Sequence, residues 1–134
     1  MAEKITRINP EGLHETPGYH HITVVEAGRT AHLAGQCPVD LHGDVVGAGD
    51  LDTQIDQVVV NSMAALRAVG AKPEDVIRSV IYVASNEQKV LGHAWARLVE
   101  SALGEAFTTA STLLGVAQLG FSDQLIEIDL TAAL

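Results

Sequence analysis

Apolar positions change their period along this chain, and each change marks an element. Between residues 53 and 69, Ile55, Val58, Val59, Met63, Leu66 and Val69 recur at steps of three and four, the spacing of a helix with one buried stripe. Gly70 follows as its stop. A second stripe of Val90, Leu91, Ala94, Trp95, Leu98 and Leu103 predicts a helix over residues 87–103, opened by the capping pattern Ser85-Asn86-Glu87 and ended by Gly104. β-rich runs predict six strands, at 4–8, 21–26, 30–35, 76–84, 112–119 and 125–130. Ala27-Gly28-Arg29 reads as a hairpin turn that pairs the second strand with the third, and Gly120-Phe121-Ser122-Asp123 joins the last two strands. The stretch NPEGLHETPGYH and residues 38–52 are turn-rich loops. The predicted order is β-β-β-α-β-α-β-β, an α+β domain spanning residues 1–134.

Two amphipathic helices cover only one face of such a sheet, so the other face meets water or another subunit. Alternation in LIEIDL sets Ile126, Ile128 and Leu130 against Leu125, Glu127 and Asp129, making one face apolar and giving the other carboxylates. The third strand likewise sets His32, Ala34 and Gln36 opposite Leu33 and Gly35. A mixed polar and apolar second face suggests an oligomer interface with a cleft.

The 134 residues suffice to bury about two-thirds of the unfolded surface without disulfides or a metal. No apolar run approaches the ~20 residues of a membrane span, and the N-terminal stretch does not read as a secretory signal. A cytoplasmic address is the expectation, and the lone Cys37 agrees with a reducing compartment. A net charge of −9 argues against a nucleic-acid partner, since phosphate backbones are held largely by Lys and Arg. After Arg97 the chain contains neither.

Gly35-Gln36-Cys37-Pro38-Val39-Asp40, the helix with Asn61 and Gly70, Glu74-Asp75-Val76 leading into a strand, and Leu125-Ile126-Glu127-Ile128-Asp129 occur in an order and spacing that resembles the Rid family, the reactive intermediate deaminases also called the YjgF or UK114 family. The likeness covers nearly the whole chain. It implies a chorismate-mutase-like mixed sheet with two helices packed on one face, and a homotrimer with small-molecule clefts between subunits. Active members of that family hydrolyse reactive enamines and imines to keto acids and ammonia. An arginine on their penultimate strand holds the substrate carboxylate, and a glutamate on the last strand positions the attacking water. Such a division of labour has a physical basis: a guanidinium grips a carboxylate through two parallel bonds, and a carboxylate orients or deprotonates water.

The resemblance carries the glutamate to Glu127 and a loop tyrosine to Tyr19, but the arginine to Ser111, or to Ala110 under the other possible strand alignment. By the same matching, a helix asparagine becomes Gly92 and a cysteine becomes Leu113. A charged hydrogen bond is worth about 1.5–3 kcal/mol, roughly ten- to a hundred-fold, so turnover of amino-acid-derived imines is expected to be weak or altered. The expectation is a homotrimer binding a small carbonyl, imine or enamine metabolite without a cofactor. Glu127 would be its catalytic residue, and Ser111, Tyr19, Gly35 and Gln36 its ligand wall. Ser111 can bond a neutral carbonyl, and Arg7 and Arg29 are the cations to inspect as substitutes. Two further readings stay open: a true imine hydrolase for a substrate anchored without the arginine, and a non-enzymatic interaction or chaperone-like trimer, for which the chain supplies no motif.

His14, His20 and His21 share one loop, yet adjacent residues of an extended segment point to opposite faces and no paired metal-ligand spacing is present, so no metal site is expected. Cys37 reads as a packing residue, Trp95 and Tyr82 as core or interface residues. Gly35 and Gln36 either present polar groups to a ligand or shape the strand end. Ser111 lacks the Gly-x-Ser-x-Gly setting of a hydrolase nucleophile.

Overall fold

A computed structural model describes residues 4–26 and 28–134. In chain order its strands and α-helices are β1 (Ile5–Ile8), β2 (Ile22–Val25), β3 (Thr30–His32), α1 (Leu51–Ala68), β4 (Val76–Val83), α2 (Gln88–Glu100), β5 (Ala110–Gly115) and β6 (Ile126–Ala133). Element types and order follow the apolar periodicities. β3, β6, β4 and β5 form a four-stranded sheet in that spatial order, with β6 antiparallel to both its neighbours and β4 parallel to β5. A parallel pair needs a long crossover, and α2 supplies it.

The predicted pairing of the second and third strands is corrected. β2 pairs with β1 instead, Ile22 opposite Ile8 and Val25 opposite Ile5, while β3 pairs with the far end of β6, His32 opposite Thr131. Alternation identifies a strand but not its partner; β6, eight residues long, offers its free edge to β3. Ala27 of the predicted turn lies outside the described residues. β2 is tied beside the start of β5 by side chains: the Thr23 hydroxyl meets that of Thr109 and accepts from the Ala110 amide at 3.0 Å. Arg7 links β1 to the start of β4 by donating to the carbonyls of Glu74 and Val76 at 2.9 and 3.0 Å.

Helix ends are built from identifiable caps. Asp50 accepts from the Thr53 amide at 3.2 Å at the start of α1. At its end Gly70 has φ +74°, its amide donates to Arg67 and that of Ala71 to Leu66, the paired bonds of a Schellman stop. α2 ends at Glu100, three residues before the predicted boundary, and a 3₁₀ turn over Gly104–Phe107 follows. Gly104 permits that turn, because a Cβ there would stand 2.2 Å from the Val99 carbonyl oxygen.

The core lies between the sheet and the two helices. Ile126, Ile128 and Leu130 of β6 are buried against Ile55, Leu66 and Leu98 of the helices and Phe107 of the 3₁₀ turn. Gln54 is the polar exception, fully buried, donating to the carbonyls of Gly47 and Asp123 and accepting from the Leu125 amide at 2.7 Å. Both its protons and its oxygen are bonded, which offsets the cost of burying an amide. On the outer surface Arg97 of α2 grips Asp56 of α1 through two bonds of 3.0 and 2.8 Å.

Truncating Phe107 to Ala should cost about 3–5 kcal/mol of folding free energy, whereas Val60→Ala, at an exposed helix position, should change it by no more than about 0.5 kcal/mol. Urea unfolding of the two variants beside the parent chain measures both.

Candidate functional site

Strand alternation sorts the candidate residues onto two faces of one sheet. On β5, Ser111 and Leu113 point toward the helices, as do Ser79 and Ile81 opposite them on β4. On the other face lie Arg78, Val80 and Tyr82 of β4 with Glu127 and Asp129 of β6, all half-buried or exposed. Ser111 and Glu127 of the same chain are therefore separated by the thickness of the sheet.

On the helix side, Ser111 helps line an open pocket of about 410 Å³ whose other walls are Pro17, Tyr19, Gly92, Trp95 and Leu113. Three of these positions, Gly92, Ser111 and Leu113, are those where the chain replaces the asparagine, arginine and cysteine expected from the resemblance. Their convergence makes the pocket wall free of charge. Trp95 packs on the core and also faces this pocket, edge-on to Tyr19 at 6.3 Å between ring centroids and to Phe107 at 6.0 Å. Sequence reasoning gave it only the packing role. The Tyr19 hydroxyl stands 3.2 Å from His14 Nε2, and the loop is held by Thr16 donating to the Tyr19 carbonyl and by the His20 amide donating to Thr109.

Ser111 keeps its proton away from the pocket. Ser79, fully buried, has the Ser111 hydroxyl as its hydrogen-bond partner, and Ser111 in turn donates toward the carbonyls of Phe107 and Thr109, each at 3.2 Å. A hydroxyl has one proton, so the group left for a ligand is a lone pair. Neither Arg7 nor Arg29 lines the pocket: the first is spent on the backbone of Glu74 and Val76, and the second belongs to the far edge beside β3. Arg78, which sequence reasoning passed over, comes closest to β5. It reaches the Ala110 carbonyl at 3.1 Å and the Thr112 hydroxyl at 2.6 Å, from the face opposite the pocket. The alternation of β4 carried that signal.

On the other face, Glu127 is held by one of its oxygens. Oε1 accepts from Gln124 Nε2 and from the Cys37 thiol, both at 3.1 Å. Gly35 leaves room for the carboxylate: a Cβ there would lie 2.2 Å from Glu127 Oε2 and 2.9 Å from Asp129 Oδ1. Gln36 does not present its side chain to Glu127; its amide and carbonyl bridge to Ile128, and its side-chain nitrogen donates to the Ala34 carbonyl. Asp129 accepts from the Tyr82 hydroxyl at 3.0 Å, a bond that, with burial, raises the phenol above its ordinary range. Burial and then the bond to Glu127 push the Cys37 thiol up to about 11, so it is protonated at neutral pH and is a donor to Glu127, not a nucleophile. Among the described residues, no three His, Cys, Asp or Glu side chains are grouped to hold a metal ion, and no helix is long and apolar enough to cross a membrane.

This architecture recurs in known proteins. A family profile described as endoribonuclease L-PSP matches residues 13–134. The chain belongs to that family, the Rid or YjgF family. The crystal structure of YyfB, a Rid-family protein of unknown function from Yersinia pestis, is 33% identical and superposes with a TM-score of 0.86 over 98% of this chain and 100% of that one. The YjgF gene product of E. coli is 27% identical, with a TM-score of 0.61 over 95% of this chain and 97% of its own. A RutC family protein of Pyrococcus horikoshii is 36% identical over 59 residues, so the match spans 44% of this Rid-family chain and about half, 47%, of the relative. The chorismate-mutase-like fold implied by the resemblance is the one observed: two helices on one face of a mixed sheet.

Two outcomes are expected from this geometry. Gly35→Ala should cost about 1–3 kcal/mol by driving the Glu127 carboxylate aside, and Glu127→Ala in the same chain should recover much of that loss in a double-mutant cycle. Because the folded state holds the Cys37 proton more tightly than the unfolded chain, its contribution to stability is full below the ordinary value of 9.0 and is lost as pH rises through about 11. Urea midpoints at about pH 8 and about pH 10 should therefore diverge less in Cys37→Ser than in the parent chain.

Proposed function

We propose that this Rid-family protein is a homotrimer whose clefts bind a small imine, enamine or carbonyl compound lacking a carboxylate. The cleft would be assembled from two subunits, with the Tyr19, Trp95 and Ser111 wall given by one and the Glu127 face by its neighbour. One observation carries this reading: the positions replacing the expected polar and cationic residues, Gly92, Ser111 and Leu113, line one uncharged pocket together with Tyr19 and Trp95. Without a guanidinium, a carboxylate entering that pocket would lose its water and gain no partner, a cost a neutral substrate avoids. The placement of Ser111 and Glu127 on opposite faces supports a shared site, since a cleft holding both needs a second copy.

In the proposed reaction the carbon of a neutral C=N bond lies between the aromatic wall and Glu127. Glu127 Oε2 takes a proton from water as the oxygen attacks that carbon and the π pair moves to nitrogen, which receives that proton to give a carbinolamine; Oε2 then takes the hydroxyl proton and passes it to the nitrogen as C=O forms and the C–N bond breaks, giving a carbonyl compound and ammonia or an amine. Leu113 and Trp95 exclude bulk water from one side. RNA is not the substrate in this reading: a net charge of −9 repels a phosphate backbone, and the pocket wall offers no cation.

Carbonyl and ammonia release from a neutral imine and from freshly generated 2-aminoacrylate tests the proposal. The neutral imine should be the better substrate, and Glu127→Ala should lower its kcat by about 100-fold or more. Ser111→Arg should raise turnover of 2-aminoacrylate by roughly 10- to 100-fold. Mixed trimers of Glu127→Ala and Trp95→Ala subunits should regain about a quarter of the parental sites, because one parental half from each rebuilds a cleft. Equal turnover of the neutral imine by the parent chain and Glu127→Ala would overturn the reading.

A further inference from the structure

Glu127 is the group asked to activate water, yet a glutamate side chain has three rotatable bonds and two equivalent oxygens, and neither β6 nor the sheet fixes which oxygen faces a substrate. The surroundings of this glutamate break that equivalence. Gln124 is nearly fully buried; its side-chain nitrogen divides its two protons between the Ile126 carbonyl at 3.0 Å and Glu127 Oε1 at 3.1 Å, and its side-chain oxygen accepts from the Phe121 amide at 3.0 Å. With its oxygen bonded to Phe121 in the turn and its other proton to Ile126 at the start of β6, Gln124 is a fixed donor. Cys37 lies on the segment after β3 that bridges to Ile128, and its thiol sits 3.1 Å from the same oxygen. That segment is itself anchored, because Asn61 of α1 donates to the carbonyls of Cys37 and Val39 at 3.0 and 2.9 Å. Oε2 has no protein donor among the described residues and lies against Gly35, where a Cβ would stand 2.2 Å from it.

We infer that Cys37 and Gln124 are positioning residues that together hold Glu127 by Oε1 and so assign the proton transfer to Oε2. The inference rests on the proposed role of Glu127. A thiol suits the task physically. It donates one weak bond, and a neighbour that stays protonated adds no charge to a face already holding Glu127 and Asp129. Pinning one oxygen removes the rotamer search from the reacting state, so the effect belongs in kcat and not in KM. Titratable groups facing Glu127 are Cys37 from the segment after β3, Asp129 on its own strand and Tyr82 on β4; of these, Cys37 is the one bonded to it.

The test measures kcat and KM for a neutral imine with the full chain and its Cys37→Ala, Cys37→Ser, Gln124→Leu, Glu127→Gln and Cys37→Ala Gln124→Leu variants, with the crystal structure of that double variant beside the kinetics. Expected are a kcat lowered about 3- to 10-fold by Cys37→Ala and about 10- to 100-fold in the double variant, an unchanged KM, and recovery in Cys37→Ser, whose hydroxyl restores the donor. In the crystal structure the Glu127 carboxylate should leave its single orientation. If Glu127→Gln abolishes turnover while Cys37→Ala and Gln124→Leu leave kcat and the carboxylate orientation as they were, the positioning role is wrong and the role of Glu127 stands. If Glu127→Gln turns over the imine as the parent chain does, or the parent chain is inert, the reading beneath it fails as well.

Discussion

The two-sidedness of β6 is the constraint on which the rest depends. It runs between β3 and β4, giving Ile126, Ile128 and Leu130 to the helices and Glu127 and Asp129 to the other face. A shift of one residue would bury the carboxylates and expose the isoleucines, so burial of those apolar side chains enforces the register. The same register sets the height of Glu127 opposite Tyr82 and brings Asp129 alongside Val80. Site geometry on the open face is thus a by-product of core packing on the other.

Around that strand, loops supply what alternation cannot. Gln54, buried at the start of α1, holds both sides of the turn that leads into β6, and Gln124 at the end of that turn reaches the Glu127 carboxylate. Asn61, two turns further along α1, fixes the segment that carries Cys37. One helix thereby anchors both donors to Glu127, although none of its own side chains touches that glutamate in the hydrogen bonds described. The pocket on the opposite side is assembled differently, from the N-terminal loop, α2 and β5, and is held mainly by aromatic edges and the Ser79–Ser111 pair.

Much of this was legible in the sequence because it depends on local periodicity. Steps of three and four located α1 and α2, alternation in LIEIDL gave the two faces of β6, and Gly70 marked a real stop with φ +74°. Partner choice was not legible: β3 pairs with β6, and alternation within a strand does not say which edge it will meet. The candidate site divides in the same way. Glu127 with Gly35, and Tyr19 with Ser111, could be nominated one residue at a time, but their separation onto opposite faces required the three-dimensional register. Cys37 and Gln124 were hidden for a further reason, since a hydrogen bond between residues 37 and 127 leaves no periodic trace.

The absence of shared side chains between the pocket wall and the Glu127 face bears on how such a chain diverges. Gly92, Ser111 and Leu113 sit on α2 and β5 with the sheet standing between them and the carboxylate. Changes at these three positions alter what the wall can recognise without altering what supports Glu127. On the proposed reading, substitution on one side would change the ligand while the other side stays under the unaltered demands of core packing. In this molecule the sheet acts as an insulator between the residues of the wall and those that support Glu127.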